Sequence, residues 1–168
     1  LLKGDEYQMH QLEAPGVPAA EIKNAVRWRI KDRIDYPLES ATFDVFNIPL
    51  DANAPGRNQT VCAVTARNSV IEACATAFNE AKVPLEVIDI PDFAQRNIAA
   101  LFEQGQRGVA LLAFYEKEGI LTFTGGGELY FARRLDVRME QVLSADSAHR
   151  DPCFERIALE LQRSLDNF

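Results

Sequence analysis

Histidine is nearly missing from this chain: two in 168 residues, His10 and His149, beside three cysteines, Cys62, Cys74 and Cys153. None has the short paired spacing of a structural zinc site, and the acids are dispersed, so no metal centre is expected. The cysteines are odd in number and fall on a strand pattern, an apolar helix face and a helix start. That is cysteine used as a small buried residue in a reducing compartment, not a disulfide framework. Long apolar runs are also lacking; none approaches the roughly 18 residues that cross a bilayer. Nothing signal-like opens the chain, which begins Leu1-Leu2 without Met, so a fragment or a trimmed protein is the expectation. A basic excess is absent too: 18 Lys and Arg stand against 25 Asp and Glu, for a net charge of -7. A general nucleic-acid binder needs a basic face to release counterions, and adhesion to anionic lipid needs one as well; both are disfavoured.

What is present is a core. Hydrophobic residues make up 47% and charged residues 26%, an ordinary soluble balance. Length suits one domain or two small subdomains. Residues 6–13 alternate as an edge strand. Glu21–Ile34 reads as a helix with Ile22, Val26, Ile30 and Ile34 in one stripe, stopped by Tyr36-Pro37. Ala41–Ile48 and Thr60–Thr65 read as strands around a polar loop with Pro55-Gly56. A helix capped by Asn68 or Ser69 should run to about Lys82, burying Val70, Cys74, Phe78 and Ala81. Leu85–Ile90 reads as a strand, and Pro91 suits the first position of the next helix. Phe93, Asn97 and Leu101 mark one edge of that helix, and Ala94, Ile98 and Phe102 the other. Gly108–Phe114, Ile120–Thr124 and Leu129–Arg133 form three strands joined by Glu116–Gly119 and by Gly125-Gly126-Gly127. Asp151-Pro152 opens a last helix with the stripe Phe154, Ile157, Ala158, Leu161, Leu165, Phe168. The order is a β-α-β-β-α block, then β-α, then β-β-β-α: an α/β fold with a mixed sheet and packed helices.

Candidate chemistry is sparse. His149 and Cys153 are four apart, but Asp151-Pro152 between them argues against a shared helical face for a thiolate and its base. The triple Gly is followed by strand rather than helix, and no Walker loop is present, so a hairpin turn is favoured over a phosphate cradle. Asp89 ends a strand, a place where α/β sheets put function; a helix cap is the plain alternative. Trp28 lies about 200° around its helix from Val26, off the apolar stripe. It either packs against a second layer or anchors a partner. Arg27, Arg29 and Lys31 around it are ordinarily solvated, but suit an acidic peptide.

Several segments together carry a family resemblance: EIKNAVRWRIKDRIDYPLESATFDVFNIP, VIDIPDFAQRNIAAL, GGGELYFARRLDV and LELQRSLDNF. They resemble the MSHA pilus biogenesis proteins of the MshI family. More distantly they resemble the PilM proteins of type IV pili and the cytoplasmic domains of type II secretion L proteins. Arg27-Trp28-Arg29 with Lys31-Asp32 and Tyr36-Pro37 is the most specific piece, and Asp89-Ile90-Pro91 with Arg96-Asn97 the second. The resemblance implies a fragment of an actin-like (ribonuclease H-like, FtsA-like) fold. Residues 1–83 would be its small inserted α/β subdomain and residues 84–168 part of the core. It implies a cytoplasmic, non-enzymatic assembly platform at the inner membrane. That platform docks the cytoplasmic tail of a membrane-spanning partner of the PilN or MshJ kind, and Trp28, Arg27, Arg29 and Lys31 are the candidate partner residues. Where that superfamily holds phosphate with an Asp, a Gly and a hydroxyl residue, this sequence has Ala113–Gly119, with no Asp and no hydroxyl but Tyr115. No cofactor and no catalytic residue is therefore carried over. The alternative is an actin-like ATPase whose nucleotide loops lie outside these residues.

Overall fold

The structure, a computed structural model, describes residues 1–49, 59–105 and 107–166. Most of the Pro55-Gly56 loop lies outside that set. The chain forms two compact units, Leu1–Pro91 and Asp92–Phe168.

In the first unit a three-stranded antiparallel sheet has the order β1-β3-β2, with β1 Tyr7–Glu13, β2 Ala41–Ile48 and β3 Thr60–Arg67. Helix α1, Ile22–Ile30, covers one face. Its four-residue stripe works as the sequence implies. Val26 and Ile30 are fully buried with Leu12, Leu38, Val61 and Ala63, and Ile22, Ile34, Phe43 and Val45 pack around them. Ala14 donates to Gln59 O, which turns the N–H and C=O of alternate residues Gln11 and Glu13 away from β3. Two arginines of the α1 segment meet those carbonyls: Arg29 Nη1 donates to Glu13 O at 2.8 Å and Arg33 Nη1 to Gln11 O at 3.4 Å.

Helix α2, Asn68–Glu80, corrects two expectations. Arg67, not Asn68 or Ser69, is its N-cap residue. The Asn68 side chain instead ties strand to helix, accepting from Thr42 Oγ1 at 2.8 Å and donating to Glu39 O at 3.0 Å. No α2 residue is fully buried, and Phe78 of the expected inward face is 41% exposed. The helix ends as a Schellman turn: Lys82 sits at φ 55°, its N–H on Asn79 O, and the Val83 N–H on Phe78 O. Leu85–Ile90 is not a strand, because a strand needs a ladder and none of the described strands pairs with it.

In the second unit the meander forms as read: β4 Val109–Phe114, β5 Gly119–Gly125 and β6 Glu128–Leu135, antiparallel in that order. The apolar run of β4 looks like a central strand, yet β5 is the central one and the more deeply buried. Gly126 and Gly127 both have positive φ, 59° and 76°, the two-residue turn that matches strand twist. Helix α3, Pro91–Ala99, starts at its proline as expected, but faces inward with Asp92, Gln95 and Ala99. Ile98, Leu101 and Phe102 are exposed. A short α4, Met139–Val142, precedes α5, Ser147–Asp166. That last helix begins before Asp151, because the Asp146 carboxylate accepts the Ala148 N–H at 3.0 Å and starts it four residues early. Pro152 is thus inside the helix. Its inward face is Cys153, Ile157 and Ser164 rather than Phe154 and Leu165. Arg133 on β6 explains the polar members: it reaches Glu160 at 2.9 Å and Ser164 Oγ at 3.4 Å. Cys153 and Ile157 pack with Leu135, Val137, Leu112 and Phe114.

Candidate functional site

Two places answer to the sequence candidates, one in each unit. The first is the turn between β4 and β5. Tyr115 N–H donates to Glu118 O at 2.7 Å and closes it. Arg134 Nη1 takes both Glu118 carboxylate oxygens, at 2.6 and 2.8 Å. Burial pushes the Tyr115 phenol above its usual range, and the charges of Asp92 and Glu118 push the same way. An anion entering here meets the Glu118 carboxylate, with the Arg134 guanidinium already paired to it. The glycine turn is occupied as well: Gly127 N–H donates to the Glu103 carboxylate at 3.0 and 3.3 Å. A carboxylate of the chain itself sits where a cradle would put its ligand.

The other chemical candidates separate. Against the expectation that Asp151-Pro152 would break the helix between them, His149 and Cys153 both lie on α5, four positions apart; but His149 is exposed with its Nδ1 2.7 Å from Asp146 Oδ2, while Cys153 is buried in the α5 core. Asp89 accepts the Ile90 N–H through Oδ1 at 2.8 Å and the Leu2 N–H through its carbonyl at 2.9 Å, so both groups are engaged with the backbone. Among the described residues no group of His, Cys, Asp and Glu could hold a metal ion, and all three cysteines are free.

The second place is the outward face of α1. Packing Val26 and Ile30 on the sheet turns Trp28 to solvent, where it is 69% exposed. Arg27, Arg29 and Lys31 are exposed too, but they do different things. The Arg29 side chain is bound to the β1 carbonyl, whereas the side chains of Arg27 and Lys31 make no hydrogen bond or ion pair among the described residues. Sequence reasoning missed that division, since only the course of β1 beside the helix reveals it.

No protein-family model and no curated protein matches the sequence. Solved structures do. The chain is similar to the "PilM-PilN type IV pilus biogenesis complex" at 20% identity and a TM-score of 0.75, covering 99% of this chain and 56% of that one. It is also similar to the cytoplasmic domain of EpsL, "an inner membrane component of the type II secretion system of Vibrio cholerae". There the identity is 14% and the TM-score 0.53, over 86% of this chain and 52% of that one. The chain thus spans about half the length of each. These likenesses establish the fold: an α/β fragment of the PilM-like, actin-like architecture. Among the described residues no helix is long and apolar enough to cross a membrane.

Proposed function

We propose that the chain belongs to a non-enzymatic scaffold for assembly of a type IV pilus of the MSHA kind. In this reading it works in the cytoplasm, against the inner membrane. It docks the cytoplasmic tail of a membrane-spanning protein of the PilN or MshJ type. The observation that carries the proposal is the likeness, over 99% of the chain, to a PilM in a PilM–PilN complex. Two features of the second unit favour a scaffold over an actin-like ATPase. Glu118 is locked to Arg134 in the turn that opens the meander, and Glu103 fills the glycine turn. Each like-charge contact with a polyanion at such a place costs on the order of 1 kcal/mol or more.

Calorimetry on the longer protein carrying these residues tests both halves. Saturable heat is expected with the synthetic cytoplasmic tail of the PilN-type protein from the same organism, and none with Mg-ATP. Tight Mg-ATP binding with turnover would replace the scaffold by the ATPase. A silent tail titration would remove the docking role.

A further inference from the structure

The cations along α1 are unevenly engaged. Lys23 pairs with Asp44 at 2.9 Å, and Arg29 and Arg33 hold the carbonyls of β1. Arg27 and Lys31 are left over among the described residues. They stand four positions apart, one helical turn, with Cβ atoms about 6 Å from each other. At about 100° per residue Lys31 lies about 60° from Trp28 and Arg27 about 100° from it, on the same side. Asp32 and Ala25 flank the other side. The exposed indole is therefore bordered along one edge by a rail of two unengaged positive charges.

We infer that this face of α1 is a docking surface for a short acidic segment bearing one large apolar side chain. That side chain lies on Trp28, and two carboxylates meet Arg27 and Lys31. The spacing selects the ligand: acids two apart in an extended peptide, or four apart in a helix, are about 6–7 Å from each other and match the rail. Charge complementarity selects it too. Residues 22–33 carry Lys23, Arg27, Arg29, Lys31 and Arg33 against Asp32 alone, in a chain whose net charge is -7. A bilayer surface fits less well. Glu21, Asn24, Ala25 and Asp32 around Trp28 offer no second large apolar group to insert, and the net charge opposes anionic lipid. The inference deepens the docking role and rests on it only for the natural partner, a cytoplasmic tail.

Trp28 is the chain's only tryptophan, so its emission reports this surface alone. The probes are three capped nonapeptides centred on Glu-Ala-Glu-Ala-Phe, Gln-Ala-Gln-Ala-Phe and Lys-Ala-Lys-Ala-Phe, whose polar and aromatic side chains share one face when extended, and phosphatidylglycerol vesicles. The acidic peptide is expected to blue-shift Trp28 emission and shield it from acrylamide, less so as salt rises, while the other two peptides do neither. The double variant Arg27→Glu, Lys31→Glu is expected to keep its circular dichroism and urea midpoint and to bind about 30-fold more weakly or worse. No spectral change up to about 1 mM acidic peptide, a range that spans weak encounters, would overturn the inference. So would a folded double variant with wild-type affinity. A shift with vesicles and not with peptides would hand the surface to a membrane and overturn it as well. If a PilN-type tail binds wild type and double variant equally, this surface falls and the docking role stands. If the acidic peptide binds and the tail does not, the surface stands and the pilus role falls.

Discussion

Arg134 grips Glu118 through a single nitrogen, Nη1, which reaches both carboxylate oxygens at 2.6 and 2.8 Å. The side chains are 33% and 23% exposed, so the pair is neither a surface ion pair nor a fully desolvated one. It pins the turn before β5 to the end of β6. Glu118→Ala should lower stability by about 1–2 kcal/mol, because it strips a charged hydrogen bond from a partly dehydrated guanidinium. Urea unfolding should show a lower midpoint with an unchanged m-value.

Gln95 is a second buried polar group with a defined task. Its Nε2 donates to Leu111 O at 2.6 Å and Ile120 O at 3.0 Å, clamping α3 onto β4 and β5. Gln95→Glu would put acceptors against two carbonyl oxygens. Burial should hold the new carboxyl protonated in the folded state, with its pKa above the unfolded value. The variant's deficit relative to wild type should therefore be smallest at acid pH and grow as pH rises through the usual glutamate range, near 4.3. Chemical unfolding at several pH values reads this; a constant deficit would contradict the clamp.

Lys82 carries the left-handed turn that ends α2, at φ 55°. An L side chain costs about 1–2 kcal/mol there. Lys82→Gly should therefore stabilise the protein by about 0.5–1 kcal/mol once glycine's greater unfolded-state freedom is subtracted. A raised melting temperature with unchanged circular dichroism is the expected result.

His10 sets an acid limit on β1. Burial, then the charge of Arg33, holds its imidazole below the usual 6.5. Its Nε2 lies 3.3 Å from Thr65 Oγ1. The unfolded chain takes the proton first as pH falls. The contribution of neutral His10 is thus fully present above about 6.5 and lost as pH falls through the lower folded value. Subtracting the stability profile of His10→Gln from that of wild type should isolate this fall; a flat difference would contradict it.

The sequence showed those parts of the fold whose signals are local. Ile22, Val26, Ile30 and Ile34 repeat at helical spacing and do line a core. Two glycines mark a turn that needs two positive φ values. The helix faces that differ from expectation share a cause: on α3 and α5 apolar spacing does not decide which side turns inward. On α3 the buried positions include Asp92 and Gln95, and Gln95 points inward because two sheet carbonyls await a donor there. On α5 they include Ser164, because Arg133 arrives from β6. Such partners lie 16 to 31 residues away, beyond any helical period. Asp146 could have been read as the earlier cap, but Asp151-Pro152 offered a stronger pattern at the wrong place. At the candidate site, helix phase puts Trp28 off the apolar stripe but leaves a second packing layer open; only the structure shows it exposed. The diversion of Arg29 to Glu13 depends on where β1 runs, which no spacing in the sequence encodes.

Arg29 and Arg33 also decide how this unit can be read by a visitor. An outer strand invites backbone-to-backbone zipping, a mode almost blind to the visitor's sequence. Along β1 the carbonyls of Gln11 and Glu13 that would start such a zip are already held by guanidinium groups. A guest at this flank must displace two charged donors or leave the main chain alone. Recognition here is thereby pushed from peptide groups to side chains, where the guest's composition matters and its backbone conformation does not.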